Sequence, residues 1–130
     1  MSKVSILVVD DEIEICGISQ LLLESVGCEV VCVEGGQQAL ACMETQSFDL
    51  LITDMLMPDM DGVELINAVR RVKPEQCIMA MSGGGRAPKE NYLQIAKMYG
   101  VNGVLPKPFN RVQLLKGISD CGLELPGAAA

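Results

Sequence analysis

Apolar positions along the chain fall into two alternating rhythms. Val4–Val9 is an apolar run of the kind a strand buried on both faces requires. Ile13, Cys16, Ile18, Leu21, Leu22 and Val26 then recur at helical spacing, with Gly27 as the stop. The alternation continues with a strand over Cys28–Val33 and a short helix over Gln37–Thr45 that buries Ala39, Leu40 and Met43. Leu50–Thr53 is the third strand, and Val63–Val72 the third helix, ended by Pro74. Cys77–Met81, Tyr92–Tyr99 and Gly103–Leu105 give a strand, a helix and a short strand. Asn110 is placed to cap a last helix over Val112, Leu115 and Ile118. There is no internal repeat or linker; residues 1–122 are expected to form one domain, with 123–130 a frayed tail.

Five β-α units in one domain imply a parallel sheet with helices on both faces, because the crossovers are right-handed. The expected class is α/β: a flavodoxin-like, doubly wound three-layer sandwich with strand order 2-1-3-4-5. Such sheets carry their sites outside the carboxyl ends of the strands. After the first strand come Asp10, Asp11 and Glu12; after the third, Asp54; after the fourth, Ser82; after the fifth, Lys107. Each has an ordinary reading alone: a helix cap, a turn, a loop hydroxyl, a solvated charge. Their arrival at one edge from four strands is what those readings leave unexplained. Glu34, after the edge strand, should lie apart.

Charge sharpens the picture. Two carboxylates ~4 Å apart at an effective dielectric near 20 repel by about 4 kcal/mol, so clustered ionised acids call for a cation. Mg²⁺ suits oxygen donors and keeps several waters. Asp10, Asp11 and Asp54 supply too few ligands for a closed cage, leaving room for a phosphoryl group. Lys107 and Ser82 would then contact phosphoryl oxygens, an arrangement suited to phosphoryl transfer. With no histidine in 130 residues, histidine-based catalysis and a phosphohistidine carrier are excluded, and the nucleophile must be a carboxylate. A net charge of −7 disfavours nonspecific nucleic-acid or anionic-membrane binding. No run reaches the about 20 apolar residues of a membrane span. The start does not read as a signal peptide, and six cysteines without a CxxC pair read as reduced thiols of a cytoplasmic protein.

Four segments in order, "ILVVDDE", "DLLITDMLMPDMDG", "MAMSGGG" and "VLPKPF", resemble the signature segments of the receiver domain of two-component response regulators. The resemblance extends to about Gly122. It implies that Asp54 is the phosphoacceptor, and that Asp11, Asp54 and the backbone carbonyl of Leu56 bind Mg²⁺ directly. Asp10 would act through a metal-bound water, Ser82 as the switch hydroxyl, and Lys107 as the phosphoryl's salt-bridge partner, with a cis Lys107–Pro108 bond. A sensor histidine kinase or phosphotransfer protein would donate the phosphoryl group, and an unidentified protein target would read it. Such a chain is a signalling phosphoacceptor rather than an enzyme, although it would phosphorylate itself from small donors.

Three features depart from the pattern. Val104 stands where the family usually has Tyr or Phe; Tyr92 or Tyr99 is an alternative source of a switching ring, although each reads first as a core-packing residue. The stretch between Ser82 and Lys107 is longer than usual. Leu56 and Gly84 offer no polar side chain to orient a hydrolytic water, which implies slow self-dephosphorylation. An aspartyl-phosphate hydrolase resembling the haloacid dehalogenases would need an acid where Leu56 stands. A phosphorylation-independent interaction module would leave the acid, hydroxyl and lysine set without a purpose. Asp59 and Asp61 read as structural, with Asp61 capping the third helix.

Overall fold

The computed structural model describes residues 3–57, 59–82, 94, 98 and 100–125, with only the backbone of Ser82. Five parallel strands, β1 (Ser5–Val9), β2 (Glu29–Val33), β3 (Leu50–Asp54), β4 (Ile78–Ser82) and β5 (Gly103–Pro106), form one sheet. Their order is β2-β1-β3-β4-β5, as the sequence implies. The described helices are α1 (Ile13–Ser25), α2 (Gly36–Thr45), α3 (Gly62–Val72) and α4 (Arg111–Asp120). Of the helix expected over Tyr92–Tyr99 only Gln94 and Met98 are described, both helical; the two tyrosines lie outside the described residues.

Alternation along the strands divides the core in two. Ile6, Val8, Leu50, Ile52, Met79, Met81 and Leu105 face Cys16, Leu23 and Val26 of the α1 region and Leu114 and Ile118 of α4. Leu7, Val9, Leu51, Ile78 and Ala80 face Ala39 and Met43 of α2 and Leu65, Ile66 and Val69 of α3. Helices on both sides leave every residue of β3 buried, so the chain's carboxylate at its end emerges inside the protein.

Helix ends follow their sequence signals. Gly27 takes φ +90° after α1, a conformation that suits glycine. Asp61 accepts from Glu64 N at 2.9 Å to cap α3. Asn110 and Gln113 form a reciprocal capping box at α4.

Three expectations change. Helix α1 does not bury Ile13, Ile18 and Leu21, which are 72%, 50% and 71% exposed; it buries Cys16, Ser19 and Leu23. The helix is apolar on most of its circumference, so several stripes fit the 3.6-residue period. The face turned inward is the one that meets β1 and β2. In α4, Val112 is exposed, and Leu114, Gly117 and Ile118 form the buried stripe. Packing also continues past Gly122: Leu125 is buried with the α1–α4 cluster, and Leu123 packs against it. Residues 126–130 lie outside the described residues.

The altered face of α1 has a direct test in urea unfolding. Leu23→Ala should cost about 2–5 kcal/mol, as loss of a buried leucine does. Leu21→Ala should stay within about 0.5 kcal/mol, as an exposed substitution does. Equal costs would return the helix to the face read from its periodicity.

Candidate functional site

Strands β1, β3 and β5 each end on a charged residue or lead into one, and the three meet. The backbone N–H of Asp10 donates to Val33 O at 3.1 Å, holding it in line with the sheet beyond β1. Its carboxylate is fully buried and accepts from Glu12 N at 2.9 Å. Asp54 is 4% exposed at the end of β3, opposite Met81 of β4, and its Oδ1 accepts from Met55 N at 2.9 Å. Lys107 follows β5 at 6% exposure, next to a cis Lys107–Pro108 bond.

The Lys107 ammonium is the hub. Its Nζ lies 3.0 Å from Asp10 Oδ2, 3.4 Å from Glu12 Oε1 and 3.5 Å from Asp54 Oδ2. Burial pushes Asp54 up to about 6, reinforced by the Asp10 charge and opposed by Lys107. Burial likewise raises Asp10 against the hydrogen bond from Glu12 N and the pull of Lys107. For Lys107, burial disfavours the charged form, but Asp54, Asp10 and Glu12 outweigh it and the pKa rises. The site therefore holds a tightly retained ammonium among carboxylates that ionise reluctantly.

One carboxylate oxygen each from Asp10, Glu12 and Asp54 lies within 4.8 Å of the others. Three hard oxygen donors without histidine or thiolate suit a hard divalent cation, so the group could hold a metal ion. Glu12 is the member to which sequence reasoning gave no role, although it follows the same strand in "VVDDE". Asp11, expected among the metal ligands, is exposed and outside the trio. Leu56 is partly buried just beyond Asp54. Ser82 ends β4 opposite Pro106, which brings its backbone to the same sheet edge; its side chain lies outside the described residues, as does Gly84. Val104 is partly buried against the α2–α3 cluster. Glu34 is exposed and apart from the trio, as its edge strand implied. All six cysteines are free thiols, and no described helix is long and apolar enough to cross a membrane.

Comparison with known proteins gives a consistent result. A family model described as the response regulator receiver domain matches residues 6–119. An uncharacterised protein of Leptolyngbya boryana is 31% identical over 97% of this chain and 95% of its own length. A transcriptional regulatory protein of Escherichia coli is 34% identical over 87% of this chain but only 47% of its own length. This chain thus spans about half of that regulator. Among solved structures, a chemotaxis response regulator of Vibrio cholerae superposes with a TM-score of 0.82 at 33% identity, over 92% of this chain and 99% of that one. A receiver domain protein of Methanospirillum hungatei gives 0.83 at 28% identity, over 92% and 93%.

The elevated Asp54 makes a signed prediction for magnesium-free protein. Because its folded pKa lies above the unfolded value, its contribution is fully present below about pH 4 and is lost as pH rises through about 6. Asp54→Asn should therefore melt above the wild type at pH 7, with the gap closing toward pH 4. A gap independent of pH would contradict the elevated carboxyl.

Proposed function

The chain belongs to the response regulator receiver family, and we propose that it accepts a phosphoryl group from a phosphohistidine onto Asp54 in a Mg²⁺-dependent reaction. The observation that carries this reading is the convergence of Asp10, Asp54 and the buried Lys107 ammonium, 3.0 and 3.5 Å from the two aspartates. Bound Mg²⁺ would offset carboxylate charge and hold a phosphoryl oxygen. Asp10, Asp11, Asp54 and the Leu56 carbonyl would hold it, with Asp10 reaching it through water, and Glu12 lies close enough to contribute. Asp54 is the nucleophile: its carboxylate forms the new oxygen–phosphorus bond as the donor's nitrogen–phosphorus bond breaks. Lys107 meets the transferred charge with an ammonium already in place, and Ser82 is the residue whose hydroxyl would serve another oxygen. A cation positioned beforehand needs little reorganisation during transfer.

The donor would be a sensor histidine kinase or a histidine phosphotransfer protein in the cytoplasm. Exposed Ile13, directly after Glu12, offers an apolar side chain beside the site for it, and Ile18 and Leu21 farther along the same helix are exposed as well. The phosphorylated form would then change the binding of a protein target or pass the group on. It would act as a switch or relay rather than a turnover catalyst.

Incubation with acetyl phosphate and Mg²⁺ should incorporate one phosphoryl group per chain, with none in Asp54→Asn or without the metal. Continuous phosphate release at constant rate would mark a hydrolase instead, and no incorporation would leave a phosphorylation-independent module.

Leu56 supplies no side-chain hydrogen bond for a hydrolytic water, so the phosphoprotein should decay slowly. Leu56→Asn should shorten its lifetime about tenfold, a modest share of what a positioned polar group contributes. Decay within seconds in the wild type, unchanged by that substitution, would remove Leu56 from the timing of the signal.

A further inference from the structure

Asp59 has no part in the chemistry above, yet its carboxylate is used twice. Its Oδ1 accepts from Gly36 N at 3.4 Å and its Oδ2 from Gln37 N at 3.2 Å. These are first-turn N–H groups of α2, whose own N-cap, Gly35, provides no side-chain acceptor. The helix is capped instead from the β3–α3 connection, by a charge its N-terminus favours.

The surfaces are shaped for this contact. A Cβ on Gly35 would lie 2.7 Å from both carboxylate oxygens of Asp59, and one on Gly36 would lie 2.7 Å from Met60 Sδ. The far end of the connection is fixed in the same manner. Gly62 N donates to Met55 O at 3.1 Å, and a Cβ on Gly62 would lie 2.7 Å from Asp54 O. The segment that begins with Asp54 and carries Leu56 is thus fastened at two helix starts, to α3 through Asp61 and to α2 through Asp59.

We propose that Asp59 is a positioning residue for the metal-binding limb of the site: by fastening the β3–α3 connection to the start of α2, it holds the Leu56 backbone where the ion needs it. This rests on the phosphoacceptor reading above. The cap needs acceptor oxygens, one of which an amide retains, whereas a long-range charge effect on the ion would need the full negative charge, so the two are separable by substitution.

The test is a Mg²⁺ titration of the full chain, followed by amide NMR shifts at residues 10–12 and 54–56. The initial rate of phosphorylation by acetyl phosphate is measured alongside, at limiting and saturating Mg²⁺. Asp59→Ala should raise the half-saturating Mg²⁺ concentration about tenfold, the low end of what outer-shell partners of a metal contribute. Saturating Mg²⁺ should restore its rate, which a general loss of folding would not allow. Asp59→Asn keeps one of the two acceptor oxygens without the charge and should lose less than Asp59→Ala, about threefold. Gly35→Ala, whose Cβ would displace the carboxylate, should reproduce the Asp59→Ala loss, and the double variant should be no worse than either single one. Should Asp59→Ala not fold, Gly35→Ala against Asp59→Asn carries the same comparison.

Wild-type Mg²⁺ dependence in folded Asp59→Ala or Gly35→Ala would overturn the proposal and leave a cap that only stabilises. Equal losses in Asp59→Asn and Asp59→Ala would overturn it in favour of charge. A wild type that neither binds Mg²⁺ nor takes up phosphate would instead overturn the phosphoacceptor reading, and this proposal with it.

Discussion

Everything at the sheet's carboxyl edge depends on one ammonium among buried carboxylates. Removing charges from water costs several kcal/mol per ion, and the pairing of Lys107 with Asp10 and Asp54 offsets only part of that cost for the two carboxylates. Taking away Lys107, the one positive charge of the group, would leave buried carboxylates uncompensated, a loss that typically costs about 3–5 kcal/mol. Burial also raises Asp54 to about 6, so its carboxylate ionises only shortly below neutral pH. A site in this condition gains from any added positive charge, which is a physical reason for the acidic cluster to be able to hold a metal ion.

The fold makes that condition unavoidable. Helices on both faces bury all of β3, so its terminal aspartate meets little water however the loop beyond it is arranged. Parallel neighbours then deliver Asp10 from one side and, across β4, Lys107 from β5. The first helix faces outward with much of its apolar surface, which costs some burial and leaves Ile13 exposed next to Glu12.

Strand order and the residues following each strand were legible because a parallel sheet buried on both faces leaves a distinctive apolar signature, and the polar residue that ends each run is conspicuous. Asp10, Asp54 and Lys107 are brought together as that reasoning implies. What was illegible depends on orientation rather than position. In α1 nearly every face is apolar, so periodicity could not choose between Leu21 and Leu23. Asp11 and Glu12 are adjacent in sequence, and only the backbone path after β1 turns Glu12 toward Lys107 and leaves Asp11 exposed. Asp59 read as an ordinary turn residue because its partners, Gly36 and Gln37, are distant in the chain. Leu125 was hidden in a tail whose composition looked frayed.

The most direct measurement is an amide NMR comparison of the free protein with protein saturated by Mg²⁺ and beryllofluoride, a mimic of the phosphoryl group. The largest shifts should fall at residues 10–12, 54–56 and 107, and Asp54→Asn should show none of the beryllofluoride-dependent changes. A spectrum left unchanged, or shifts confined to a surface away from these strand ends, would contradict a phosphoryl-accepting site built around Asp54 and Lys107.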